Sequence, residues 1–364
     1  MRRGVESMRH VAVRAAALVI SALVVLTLGG CARPAATPTP PEQPKLRIGM
    51  VYDVGGRGDL SFNDMAYEGL SRAQKEFGDR VEVRDLEPAA GGENREELLR
   101  LLAGEKYDLI FGIGFLFTDS ITRVAQAFPD VKFGIVDGFI ENVPNVASLL
   151  FNEHEGSFLV GAAAALKSKT GRIGFVGGMR IPLIEKFEAG FIAGAKYVNP
   201  AIQVFSDYAG TTGEAFRDPV KGRELATAQY DRGADIIYHA SGGTGIGVFE
   251  AAVAKGKLAI GVDADQSLTV GPEQRVRILT SMVKRVDVAV YETIKALVEE
   301  RFRPGVQTFG LQAGGVGYAV NDHNREMMSD ITARLEELKR DIIGGKIKVP
   351  TDRVQLESFL KTLQ

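Results

Sequence analysis

Short apolar runs alternate with segments whose apolar residues recur every three to four positions, from residue 46 almost to the C-terminus. Runs 46–53, 81–87, 107–114 and 131–137 are continuously apolar enough for strands buried on both faces of a parallel sheet. After the first, Ala66, Leu70, Ala73 and Phe77 fall on one helical face. Ser61, with Asp64 three residues on, predicts a capped start for that helix, and Gly78 its stop. Helices are predicted at 94–103 and 118–128. A second series starts near residue 155. A small-residue helix (156–168) precedes a strand (172–178), a helix opened by Pro182 (182–198), a strand (202–210) and a helix with Pro219 near its first position (218–233). Strands at 234–243, 258–265 and 276–283 follow, with a helix at 245–255. A long amphipathic helix (284–298) begins at Lys284, and a last strand (316–320) precedes one charged helix over 325–343. Two series of βα units of similar length predict an α/β protein of two doubly wound lobes.

Ligands of such sheets sit beyond the carboxyl ends of the strands. Asp53, Asp137, Tyr208, Ser241 and Asp263 each follow an apolar strand directly. Any one of them reads as an ordinary cap or turn residue; five in register favour a shared cleft. The glycine-rich run from Ser241 to Gly247 reads either as an anion cradle or as close helix–strand packing, and does not fit G-x-G-x-x-G. Residues 263–274 lack the glycine and glutamate of a calcium loop. With four histidines and one cysteine in the whole chain, a Cys/His metal cluster is not expected; His154, His239 and His323 read as turn or core residues. No nucleophile-elbow, H-E-x-x-H or Walker A pattern occurs, so neither catalysis nor a cofactor is expected.

The first 45 residues do not belong to this pattern. Arg2, Arg3, Arg9 and Arg14 precede an apolar or small run of about 16 residues, short of the roughly 20 that span a bilayer. It ends at Leu28, Gly29, Gly30 and Cys31, the only cysteine. The ending resembles a bacterial lipobox, which implies cleavage of a signal peptide (1–30) and acylation of Cys31, anchoring the protein to a membrane. Residues 31–45 form a linker whose stretch from Arg33 to Pro44 holds five prolines and reads as a stalk of about 35 Å at about 3.1 Å per residue. The charge balance, 44 basic against 46 acidic residues, offers no basis for nucleic-acid binding.

Several ordered segments together resemble the basic membrane lipoprotein family, purine-nucleoside receptors of bacterial ABC transporters. They are GDLSFND (58–64) followed by EGL, GIGF (112–115), FPD (128–130), VD (136–137), RIGFVGG (172–178), FEAGFIAGA (187–195), GVDADQ (261–266) and TSMVK (280–284). The resemblance implies a type I periplasmic-binding-protein fold: two Rossmann-like lobes joined by three hinge crossings, near 148–152, 279–284 and 307–314. The lobes would comprise 46–150 with 283–310, and 151–282 with 311–364. It also implies that Phe62 and Phe216 sandwich a nucleobase, the loop before Phe216 being longer than the family's usual spelling. Asp53 and Asp137 would read the base, with Asn63 and Asp64 the polar part of the same motif. Asp263 and Lys284 would hold ribose hydroxyls, and Gly243 would supply a backbone contact. The expected partners are a purine nucleoside, an ABC permease and a membrane reached through the lipid, the protein being a monomer on the extracytoplasmic face. A nucleoside-sensing lipoprotein of the same fold and a nucleoside-cleaving enzyme are the competing readings.

Overall fold

A computed structural model describes residues 45–89 and 91–363. The signal peptide, Cys31 and the stalk lie outside the described residues. In chain order the first lobe runs β1 (Leu46–Val51), α1 (Phe62–Phe77), β2 (Val81–Leu86), α2 (Arg95–Gly104), β3 (Leu109–Ile113), α3 (Thr118–Ala127), β4 (Lys132–Val136) and β5 (Val146–Phe151). The second follows with α4 (Glu153–Lys167), β6 (Arg172–Met179), α5 (Pro182–Val198), β7 (Gln203–Gly210), α6 (Pro219–Asp231), β8 (Ile236–Ala240), α7 (Gly245–Lys255), β9 (Leu258–Asp263), the short α8 (Pro272–Arg275) and β10 (Ile278–Lys284). The chain then returns to the first lobe for α9 (Val286–Val298) and β11 (Gly305–Phe309). It crosses back for β12 (Val316–Tyr318), α10 (Arg325–Met328), α11 (Thr332–Ile343) and α12 (Arg353–Lys361).

Each lobe holds one six-stranded sheet, ordered β11-β5-β4-β3-β1-β2 in the first and β12-β10-β9-β8-β6-β7 in the second. The two orders match strand for strand, except that β12 runs antiparallel to β10 where β11 runs parallel to β5. Helices cover the sheets, and every residue of β3 and of β8 is buried, as strands covered on both faces require.

The structure departs from the sequence reading at three places. Lys284 does not open α9; it is the last residue of β10, in register with Val316 of β12, and α9 starts at Val286. The single helix expected over 325–343 is two. Between them Ser329 Oγ donates to the Glu326 carbonyl and Thr332 Oγ to that of Met328, hydroxyls that compete for helical acceptors. The last strand is antiparallel, and α12 follows where no element was expected.

Glycines set the closest helix contacts. A methyl on Gly190 would lie 2.3 Å from the His154 carbonyl oxygen, and one on Gly194 1.9 Å from that of Phe158, so α5 lies directly on the backbone of α4. On the other lobe, a methyl on Gly69 of α1 would come 2.4 Å from the Asp287 carbonyl oxygen of α9. Backbone cannot move aside as a side chain would. Gly194→Ala is therefore expected to lower unfolding free energy by roughly 1–3 kcal/mol in urea titration. Gly271→Ala, where an added methyl meets nothing within 4 Å, should stay within about 0.5 kcal/mol of the parent.

Candidate functional site

The carboxyl ends of the two sheets converge on a shared cavity. Phe62, Phe115, Phe187 and Phe216, with Leu183, Ile184 and Val262, give it apolar walls; its polar side chains include Asp53, Asp59, Asn63, Asp137, Asp263 and Lys284, with Ser241 beside them. Phe216 ends a short 3₁₀ turn, and its ring lies over Gly178, where a methyl would meet the ring at 2.2 Å. It meets Phe115 of the other lobe edge-on, ring centroids 6.3 Å apart.

Lys284 lies at the centre of the charged side of the cavity. Its ammonium is buried and pairs with Asp137 Oδ2, with Glu153 Oε1 3.8 Å away. The rings of Phe62, Phe151 and Phe187 have centroids 4.9, 5.1 and 5.6 Å from Nζ, close enough for cation–π attraction. Burial pulls the lysine pKa down, but Asp137, Asp263 and Glu153 outweigh it and the net shift is upward. Glu153, the first residue of α4, also accepts from Lys186 Nζ at 2.9 Å; burial raises its pKa, against both lysines. Asp263 is raised by burial as well, opposed by Lys284 and by the Ser61 hydroxyl. Asp137 Oδ1 is buried with no hydrogen-bond partner among the described residues. Asp137 and Asp263 occupy matching places, each at the end of the strand third from its sheet edge, and each has φ of 62°. A left-handed backbone at a non-glycine residue is strained, and here it recurs at two of the four cavity carboxylates.

A second carboxylate region lies at the switch point of the first sheet, where β1 and β3 diverge. Asp53 Oδ1 accepts from the Val54 N–H at 2.7 Å and lies 3.5 Å from Arg95 Nη2. Gly114 makes room for it: a methyl there would fall 2.0 Å from Asp53 Oδ2. Asn63 Oδ1 accepts from the Asp53 N–H at 3.0 Å.

The sequence-predicted residues therefore divide. Asp53, Phe62, Asn63, Asp137, Phe216, Asp263 and Lys284 line one cavity. Asp64 does not; its carboxylate accepts from the N–H groups of Gly58 and Leu60 and from Arg57 Nε, all at 3.0 Å, and so shapes the loop before α1. Gly243 is absent from the lining, where Ser241 and Gly242 stand. The glycines beyond serve packing: a methyl on Gly245 would meet the His239 ring at 1.9 Å, and one on Gly247 the Pro219 carbonyl oxygen at 1.8 Å. The expected cap of α1 is replaced. Asp59 accepts from the N–H groups of Ser61, Asn63 and Asp64, while Ser61 Oγ crosses the cleft to donate to Asp263 Oδ2 at 2.7 Å. Gln266 Nε2 makes a second crossing, to the Leu60 carbonyl at 3.1 Å, and its Oε1 accepts from the Val262 N–H. Sequence reasoning missed Asp59, Arg95 and Glu153. The signal for Glu153 was an acid opening an otherwise apolar helix; for Asp59, an acid two residues before the cap.

Two matching α/β lobes, three chain crossings and a cavity between the strand ends define a periplasmic-binding protein of type I fold. Residues 46–353 match the family described as PnrA-like ABC transporter substrate-binding proteins. The chain belongs to that family, whose members are binding proteins of transporters rather than enzymes. It is 34% identical over 350 residues to a Lactococcus lactis protein named as an ABC transporter nucleoside-binding protein, covering 90% of this chain and 95% of the relative. It is 38% identical over 356 residues to an uncharacterized lipoprotein of Pyrococcus furiosus, covering 93% and 82%. Among solved structures, an ABC transporter solute-binding protein from Aeropyrum pernix superimposes with a TM-score of 0.75 at 33% identity, covering 87% of this chain and 97% of the other.

Burial pushes the Asp53 carboxyl up to about 6, against the Val54 N–H and Arg95, and pushes Asp59 up to about 7, against three backbone N–H donors. A carboxyl raised in the fold holds a proton that the unfolded chain has released. Stability of the ligand-free protein is then expected to fall as pH rises from about 4, the unfolded value, through the folded one. Asp53→Asn should remove its share, flattening the urea-denaturation profile between about pH 4 and 6 by up to about 3 kcal/mol, at about 1.4 kcal/mol per pH unit. A variant profile parallel to the parent's would show that Asp53 does not titrate in that window.

Proposed function

We propose that this protein captures a purine nucleoside in the interlobe cavity and delivers it to an ABC permease, held on the extracytoplasmic face of a membrane by acyl chains on Cys31. The observation that carries the reading is the division of the cavity wall into aromatic faces and a compact carboxylate–lysine cluster. Phe62 and Phe216 suit a flat, sequence-tolerant stacking partner. Asp263 and Lys284 together offer an acceptor and a donor for vicinal hydroxyls, and the unpartnered Asp137 Oδ1 adds a second acceptor beside them. Asp53 is left for the edge of the base. The relative named as nucleoside-binding and the relative named as a lipoprotein both support this assignment.

Calorimetric titration with a ribonucleoside, its 2′-deoxy form and the free base tests it. Phe62→Ala should weaken ribonucleoside binding roughly 10- to 100-fold. Asp263→Asn, which keeps an acceptor for Ser61, should cost about tenfold for the ribonucleoside and much less for the base. Equal losses on all three ligands would remove Asp263 from ribose recognition, and no binding of any purine nucleoside by the parent would end the reading. Anchoring is tested separately: Cys31→Ala should abolish incorporation of a labelled fatty acid, and label that persists would refute lipidation at that residue.

A further inference from the structure

Arg95 opens α2 beside Asp53 and is otherwise poorly used. Its Nη1 donates to the Gly92 carbonyl at 3.0 Å, whereas Nε and Nη2 are buried with no hydrogen-bond partner among the described residues. Its guanidinium carbon lies 5.6 Å from the Phe117 ring centroid, so one side of the cation faces a hydrocarbon surface. The nearest carboxylate is Asp53, at 3.5 Å from Nη2. Asp53 in turn has one oxygen engaged, by Val54, and one, Oδ2, that accepts no hydrogen bond among the described residues and lies against Gly114 on the cavity wall. A half-buried arginine whose spare donors are themselves buried, next to a cavity carboxylate, is out of place as mere scaffold, because unpartnered buried N–H groups are costly.

Resting on the nucleoside reading, we infer that Arg95 is a positioning residue that holds Asp53 as an ionised acceptor, and that this pair makes the cavity select 6-oxopurine nucleosides over 6-aminopurine ones. An ionised carboxylate only accepts hydrogen bonds. Guanine and hypoxanthine present N1–H, a donor, to such a group; adenine presents N1 as an acceptor, so a carboxylate facing N1 can accept only from the neighbouring 6-amino group and its oxygen against N1 is repelled and unpaired. A protonated carboxyl reverses the preference, since its O–H donates to adenine N1. Protonation state thus decides which purine edge fits. The charges facing Asp53 are Arg95 from α2 and Asp137 from the end of β4, with Asp59 one residue removed through Asn63; of these only Arg95 favours the ionised form, and burial opposes it. Loss of Arg95 therefore leaves nothing but the Val54 N–H to offset desolvation.

The test compares inosine and adenosine by calorimetric titration. At about pH 7.5 the parent should prefer inosine by about tenfold or more, the scale of one charge-assisted hydrogen bond. Arg95→Met should lose most of that preference, adenosine losing less than inosine, while Arg95→Lys should retain most of it. A purely structural arginine would instead weaken both ligands alike. The parent supplies a check that needs no variant: lowering pH to about 5, below the range in which Asp53 ionises, should shrink the inosine preference. Equal losses on both ligands in folded Arg95→Met, a parent without preference at about pH 7.5, or a preference unaltered at about pH 5 would each overturn the inference while leaving nucleoside capture standing. Failure of the parent to bind either nucleoside would overturn both.

Discussion

A lysine ammonium withdrawn from water must be compensated at short range, and the architecture around the cavity is arranged to do so for Lys284. The desolvation of such a group costs several kcal/mol even after relaxation, and a single imperfect partner does not offset it. Lys284 draws on the end of β4, through Asp137, on the first residue of α4, through Glu153, and on the end of β9, through Asp263. These three segments belong to both sheets and to the chain crossing that follows β5. The ammonium thus ties the two sheets to one another, and three aromatic rings close over what the carboxylates leave uncovered.

Most of the framework was legible because it is local. The helices at Pro182–Val198 and Gly245–Lys255 have the limits that apolar periodicity, a leading proline and a trailing glycine predict. Asp53, Asp137 and Asp263 announced the cleft because a polar residue ending an apolar strand is a local anomaly. What was not legible depends on which partner each polar group meets once the chain is folded, near or far in sequence. Ser61 looks like a helix cap, yet its hydroxyl is used 202 positions away on Asp263, which leaves the capping to Asp59. Asp64 has the composition of a ligand group but is consumed by backbone N–H groups within seven residues. Lys284 reads equally well as a strand end or a helix start, and only pairing with β12 decides it. The glycines of 187–195, part of a family resemblance in the sequence, acquire a physical cause in the backbone of α4.

The matched orders of the two sheets extend to chemistry. Equivalent strands β4 and β9 end in aspartates of the same unusual backbone conformation, but the two carboxylates are used differently. Asp137 bonds to the lysine across the hinge, whereas Asp263 receives a hydroxyl from the opposite lobe. Symmetry of the scaffold has placed the groups, and asymmetry of their partners gives each a distinct local field.

The bridges made by Ser61 and Gln266 have a kinetic corollary. Both join the lobes through protein groups alone, to Asp263 and to the Leu60 carbonyl, so part of the work of shutting the cleft is done whatever the cavity contains. Opening the cleft from this arrangement breaks both bonds together with the Phe115–Phe216 contact. Side chains that favour closure in the absence of solute lower the share of molecules open to capture, and they also slow escape once a solute is held. A change at Ser61 or Gln266 that speeds one process is therefore expected to speed the other.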